Sequence, residues 1–494
     1  MAERRLAERP AMQLVGLDDD AMDAPPPVRS APERLHEAAA GARTWASRRP
    51  AIAGVVSVVV AALLAVVVLA GPRWLVARER AHVLGPAAFA GAVHSLRSAP
   101  QALWTADVDG GVAPMLVGDV LVVTAGSVDA GDRRIVGLDA VSGETRWTVR
   151  LGTDPVPDAV MCRSTGTLLA CVVGPAPTPD PRDLAQVPDG IVGAAALWAI
   201  DPTDGAVRSR HTIAGWVQST AAAGSDLVVA SYAYGQLTIS KMDPVTARAV
   251  WVTKRVAPAR TSTNDRIRLI VGGGLVMATG NDSTILLDGA TGERQAHSVE
   301  ALGVDETRLT GDGTLVRVKY RLQGSAIVAR SSLSTGLGKP WLTAEGSLLS
   351  VDVSDRSSGL TFTSGGEGVD GVSAYRAGTP SQVWHTTSMA TRVSVDAAGR
   401  VVLRNGGTLA GLDVGSGAVM WVRDLGGVSG PAVSDGRRMA VLTGAIDDRR
   451  VLVALDLGTG EVDWQLPLPG GTTRVVQVGT QLYALGDDVL VALR

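Results

Sequence analysis

Leu138-Asp139-Ala140-Val141-Ser142-Gly143-Glu144-Thr145-Arg146-Trp147 is the stretch that decides the fold of this 494-residue chain. Its pattern is an apolar run, an Asp, a short oxygen-bearing side chain three residues on, a Gly after that, and a Trp eight residues past the Asp. The same phrase returns as Leu412-Asp413, Ser416, Gly417 and Trp421, and again as Leu455-Asp456, Thr459, Gly460 and Trp464. Asp and Ser or Thr bond turn backbone, and Gly supplies the left-handed conformation a tight turn needs. Each phrase therefore reads as a strand, a turn and a returning strand.

Aligning the chain on the Asp extends the series. The Asp column runs Asp139, Asp201, Asp243, Asp288, Ser332, Arg376, Asp413 and Asp456. Three residues on stand Ser142, Asp204, Thr246, Thr291, Thr335, Thr379, Ser416 and Thr459, and the next column is mostly Gly. Trp147, Trp251, Trp384, Trp421 and Trp464 hold the eighth place, Trp341 falls one residue late, and Ser209 and Ala296 break the pattern. Further β-rich runs precede each Asp. Three or four short strands per unit of about 40–45 residues describe one blade of a β-propeller. A single such sheet cannot bury both faces, but a ring of them can.

The last residues, Val489-Leu490-Val491-Ala492-Leu493-Arg494, mirror Val451-Leu452-Val453-Ala454-Leu455-Asp456 and stop where the turn Asp belongs. Trp104 stands near the other end of the repeat region with no Asp turn before it. An N-terminal strand carrying Trp104 is thus expected to close the ring beside the strand ending at Leu493. Eight turns plus this composite make nine units. Because propellers usually have about four to eight blades, eight blades are expected, one weak unit being an embellishment, with nine as the alternative.

Upstream, Ala51–Ala70 carries no charge and is long enough to cross a bilayer core of roughly 30 Å. It exceeds the apolar core of roughly 7–15 residues usual in a signal peptide. The expected organisation is a flexible cytoplasmic tail (1–50), a transmembrane helix (51–71), a spacer (72–100) and the propeller (101–494). Arg34, Arg43, Arg48 and Arg49 precede the span and Arg73, Arg78 and Arg80 follow it, a small bias toward a cytoplasmic N-terminus. That orientation puts the propeller outside the cytoplasm of a bacterial cell. Arg far outnumbers Lys, and the wealth of Ala, Val and Gly is that of a high-GC, actinobacterial type of genome.

The chain has 46 Lys and Arg against 49 Asp and Glu, which excludes the basic footprint of a nucleic-acid binder. Its two cysteines, Cys162 and Cys171, sit on either side of a hairpin turn near Gly166. They are either a cross-strand disulfide, which implies an oxidising compartment, or two buried thiols. The six histidines (His36, His82, His94, His211, His297 and His385) show no metal-ligand spacing. Asp107-Val108-Asp109-Gly110 begins like a calcium loop but lacks the later ligands. Gly272-Gly273-Gly274 precedes an apolar strand and reads as a turn, not a phosphate cradle. The insertion Pro175–Ile191, rich in Pro and Asp, reads as a surface loop.

The repeated phrase resembles that of the pyrroloquinoline-quinone (PQQ)-like propeller family over roughly Gln101–Arg494. The resemblance implies an all-β ring and two functional branches. Quinoprotein dehydrogenases carry an adjacent Cys-Cys pair, an Asp base and a calcium site; here the cysteines are nine apart and the recognisable Asp residues are turn residues. The other branch is non-enzymatic and includes the lipoprotein subunit of the outer-membrane β-barrel assembly machine, a protein-binding scaffold; this chain has no lipobox Cys. The expectation is a membrane-anchored, non-enzymatic scaffold or sensor for a protein or cell-envelope ligand, without cofactor, the alternative being a PQQ-dependent oxidoreductase.

Overall fold

The computed structural model describes residues 88–494, except 109–112, 127–131, 152–158, 175–194, 234–235, 257–266, 281–283, 296–304, 311–312, 324–325, 367–368 and 447–448. The tail, the predicted span and most of the spacer lie outside the described residues, as does the Pro175–Ile191 insertion. Among the described residues no helix is long and apolar enough to cross a membrane.

The described chain is all β and forms nine sheets, each one blade. In sequence order they occupy 115–150, 159–213, 216–256, 268–288, 305–345, 347–386, 392–424, 428–467, and finally 472–493 together with 102–107. Within each blade successive strands pair antiparallel. Nine apolar clusters fill the contacts between successive blades. One joins the first blade to the second through Val120, Trp147, Cys162 and Ile200. The last joins the ninth back to the first, with Tyr483, Leu490 and Ala492 against Leu121 and Leu138.

The expectation of eight blades is therefore corrected to nine. No weak unit is an embellishment, because each buries a face that its neighbours would otherwise expose. The fourth blade shows three described strands, and Leu287 forms a single bridge to Arg294 where an outer strand would begin. It still packs Leu275, Met277 and Leu286 against Leu309 and Leu315 of the fifth.

The repeated Trp is what fastens one blade to the next. Trp147 donates its Nε1–H to the Pro202 carbonyl (2.8 Å), Trp251 to Gly289 (3.2 Å), Trp384 to Val414 (2.7 Å) and Trp421 to Leu457 (3.0 Å). Each acceptor is the residue after the turn Asp, one blade further on. The indole then lies on the turn Gly of that blade: Trp147 on Gly205, Trp251 on Gly292, Trp384 on Gly417 and Trp421 on Gly460. A Cβ at any of these glycines would fall 2.4–2.7 Å from the ring.

Closure repeats the packing half of this rule, the buried Trp104 indole N–H finding no acceptor among the described residues. Ala102–Asp107 pairs antiparallel with Val489–Leu493, placing Trp104 opposite Ala492 and Ala102 opposite Leu493. Trp104 thereby takes the Trp column of the ninth blade and lies on Gly143 of the first. Gln101 and Arg494 exchange backbone hydrogen bonds across the junction. The ninth blade has no Asp turn for Trp464 to reach, so Trp464 donates to the Leu96 carbonyl instead (2.7 Å). Packing accordingly starts upstream of Gln101, with Val93 and Leu96 buried in the cluster between the eighth and ninth blades.

The sixth blade departs from the repeat. Its inner strand is only Ser347–Leu348. The chain then leaves to add Val351–Ser354 in parallel to the inner strand of the seventh blade, Arg392–Ala397, before returning as Leu360–Gly366.

Gly460 has a φ of +69° and Gly406 one of +58°, but Gly406 has open space around its Cβ position. Gly460→Ala is expected to cost about 1 kcal/mol of backbone strain plus about 1–3 kcal/mol from displacing the Trp421 indole. Gly406→Ala should cost only the strain. Urea unfolding followed by fluorescence measures both, and equal losses would show that the indole seat is unimportant.

Candidate functional site

Alternating strand direction sorts the connections onto two faces. The links between first and second strands and between third and fourth strands emerge on one face, which carries the Asp turns. The links between second and third strands and from blade to blade emerge on the other.

On the turn face the carboxylates are committed to backbone. Asp139 Oδ1 accepts the amides of Val141 and Ser142, and Arg146 pairs with its other oxygen and with Asp119. Asp413 accepts Gly415, Ser416 and the Ser416 hydroxyl, and Asp456 does the same with Gly458 and Thr459. Gly143, Gly417 and Gly460 each return an amide to the carbonyl of their own Asp. Hydrogen bonds that stabilise the charged form lower a carboxyl, and they do so at four of the turns. Asp201 falls to about 2 through Thr203 and Arg208. The Asp243 and Asp288 carboxyls are lowered mainly by the amides of Thr246 and Thr291, and that of Asp413 by the Ser416 hydroxyl. Such groups hold turns, and none is spare for proton transfer.

The fifth blade shifts this column. Leu333 pairs with Leu342, as Leu138 does with Thr145, so the Asp place belongs to Ser334 and not Ser332. Ser332 faces Thr343 where other blades set a Trp, and Trp341 lies outside the column. A turn lengthened by two residues hid this register from the spacing. In the second blade Ser209 occupies the Trp place, and its hydroxyl donates to Pro244, the carbonyl an indole would use (3.4 Å).

Cys162 and Cys171 are directly opposed on adjacent strands and are disulfide-bonded, buried in the cluster between the first and second blades. Gly273 and Gly274 form the turn between Arg268–Gly272 and Leu275–Thr279. Among the described residues no three His, Cys, Asp or Glu side chains converge closely enough to hold a metal ion.

The opposite face carries a polar cluster that the sequence pattern did not signal. The added strand Val351–Ser354 brings Asp352, its side chain 4% exposed, against Arg392 (2.7 Å) and the Ala432 amide (3.0 Å). One carboxylate thus ties the seventh blade to the eighth. Nearby, Arg404 donates to the Gly430 carbonyl and Arg450 to the Ser429 hydroxyl. Two guanidiniums, Arg392 and Arg404, thus gather around the Asp352 carboxylate, and Arg450 adds a third at the same end of the eighth blade. Met389 is exposed in the adjoining connection.

At the other end of the added strand lies Asp396, buried at 3% exposure. Ser354 and Ser358 donate hydroxyls to its Oδ2, and its Oδ1 has no partner among the described residues. Burial raises this carboxyl, the two hydroxyls oppose that in part, and the charge of Asp355 adds to the rise.

The arrangement defines a PQQ-like β-propeller. The family described as outer membrane protein assembly factor BamB matches residues 187–357 and 369–494, and the chain belongs to that family. No curated protein sequence matches it. Among solved structures, BamB from Moraxella catarrhalis is 15% identical with a TM-score of 0.43, covering 80% of this chain and 98% of that one. Dihydro-heme d1 dehydrogenase NirN in complex with DHE is 12% identical with a TM-score of 0.39, covering 78% of each chain. A eukaryotic initiation factor is 10% identical with a TM-score of 0.43, covering 75% of this chain and 89% of its own.

Two opposite pH dependences follow. A lowered turn carboxyl contributes stability that is present above the unfolded value of about 4 and lost as pH falls through the folded value. The raised Asp396 carboxyl works the other way: its contribution is present below about 4 and is lost as pH rises toward its folded value. Asp396→Asn keeps an acceptor for Ser354 and Ser358 but cannot ionise. Melting curves between pH 4 and 7 should show the variant gaining on the parent protein as pH rises, whereas parallel profiles would refute a raised carboxyl.

Proposed function

We propose that this chain is a membrane-anchored, extracytoplasmic binding scaffold that engages a protein or cell-envelope ligand through the face opposite the Asp turns. The observation that carries this reading is the difference between the two faces. The turn face is built from similar repeated turns whose carboxylates are consumed by their own backbone and whose glycines seat the preceding blade's indole. The strand ends on the opposite face are varied in spacing: Ala233 is followed by a strand from Gln236 in the third blade, whereas Gly174 is followed by one only from Ala195 in the second. Only there can sequence change without disturbing the interlock, and varied loops on a rigid frame are where recognition is usually built. The cluster of Arg392, Arg404 and Arg450 gives that face a local positive character, suited to an acidic segment of a partner. Membership in a family described as an assembly factor supports a scaffold role.

The anchor is residues 51–71, with the N-terminus in the cytoplasm. An alkaline phosphatase fused after Arg494 is expected to be active in cells; an inactive fusion of normal abundance overturns the placement. For the binding face, a photo-crosslinking amino acid at Met389 or Asn405 should capture a partner in living cells, and one at Ser416 should not. Equal capture at all three positions, or capture at Ser416 alone, would contradict the assignment.

A further inference from the structure

On the turn face, the segment that leads into the ring borders a cleft of about 560 Å³ between itself and the eighth blade. Val93, His94 and Arg97 line one side, and Asp435, Arg437 and Arg438 the other. We propose that this cleft is a binding site for an anionic phosphodiester group.

The wall is fixed by the backbone. Asp435 Oδ1 accepts the amides of Arg437 and Arg438 (2.9 and 2.7 Å), and its Oδ2 accepts Leu96 N–H from the lead-in segment (2.7 Å). Val93 donates to the Ser434 carbonyl and His94 to the Thr480 carbonyl, so the segment is held on both the eighth and ninth blades. The one carboxylate lining the cleft is therefore engaged by three amides and forms no ion pair with the guanidiniums around it. Arg438, which also lines the cleft, is paired through Nε with Asp463. Arg97 and Arg437 are exposed and have no carboxylate partner among the described residues.

Three guanidiniums around an open, mostly polar cleft supply forked donors suited to a tetrahedral oxyanion. The volume lies in the range of small-molecule sites, about 300–1,000 Å³, and exceeds what an isolated phosphate needs. A phosphate joined to a polar body, such as a phosphoglycerol unit, fits it. Such a group can come from a lipid headgroup or from a soluble or polymeric phosphodiester. The site lies on the face opposite the proposed partner surface and does not rest on that assignment.

The test is calorimetric titration of the full chain in a neutral detergent. The probes are glycerophosphoglycerol, the same headgroup as phosphatidylglycerol doped into the micelles, and phosphatidylcholine as zwitterionic control. Binding of the first or second but not the third is expected, weakened by salt. The double variant Arg97→Ala/Arg437→Ala should lose at least about ten-fold in affinity, with its melting temperature and the partner crosslinks from Met389 unchanged. Arg97→Lys/Arg437→Lys should retain part of the binding. Binding of the soluble headgroup identifies a soluble or polymeric source, and binding only of the lipid identifies a membrane source. The proposal is overturned if neither probe binds, or if the alanine variant binds as the parent does.

Discussion

An indole seated on the next blade's glycine is the contact on which the ring depends. It joins two requirements that lie in different units: a Trp on an outer strand and a residue without Cβ in the following turn. Seven of the boundaries obey this pairing in one direction or the other; the fourth-to-fifth boundary does not, since Ala296 stands in the Trp column and the fifth blade's turn keeps Gly336 and Gly338 with no indole on either. Where Trp147, Trp251, Trp384, Trp421 and Trp104 are present, the next turn offers Gly205, Gly292, Gly417, Gly460 and Gly143. Where the second blade has Ser209, the next turn has Ala247, a non-glycine residue with a φ of 53°. After the fifth blade, which has no Trp in the column, the turn place is Pro380. At these boundaries the glycines answer the tryptophans, and turn geometry alone does not require them, since Ala247 makes the same backbone bond to Asp243 that Gly417 makes to Asp413.

This pairing divides the surface by function. Every element of the interlock lies on one face, where a substitution must satisfy its own turn and a neighbour's indole together. The opposite face bears no such double constraint. Its departures from the repeat, including the excursion of Val351–Ser354 onto the seventh blade, leave the interlock intact while bringing charged groups together. Asp352 shows the cost of such an excursion and its remedy. A buried carboxylate is tolerable only when paired and hydrogen-bonded, and Arg392 and the Ala432 amide meet both needs.

The β-propeller fold was legible because its signal is local and repeated: Asp, Ser or Thr, and Gly at fixed offsets specify a turn whatever lies elsewhere. Blade number was less legible, since a typical range argued against nine while the columns themselves supported it. The Ser332 column failed where a turn two residues longer shifts the pairing to Ser334, and spacing cannot reveal an insertion that the hydrophobic pattern tolerates. The polar cluster around Asp352 was not legible at all. It depends on a strand of one blade pairing with another, and nothing in the local sequence of Val351–Ser354 distinguishes that partner from its own blade. Val93 and Leu96 were hidden for a similar reason, their burial being against residues more than three hundred positions away.

The seam of the ring follows from the same contact. Building the last blade from both ends of the repeat region leaves it without an Asp turn, and Trp464 without the carbonyl its counterparts use. A buried indole N–H left unpaired is costly. The lead-in segment removes that cost by laying Leu96 across the gap, where its carbonyl accepts Trp464 and its amide donates to Asp435. A segment held at those two points must pass beside the Asp435–Arg438 turn without merging into either sheet, and the space between them is the arginine-lined cleft. The cleft is thus a geometric consequence of closure, formed at the one blade boundary where the interlock is completed by chain from outside the repeat. That origin explains why its wall carries side chains the repeated phrase does not specify.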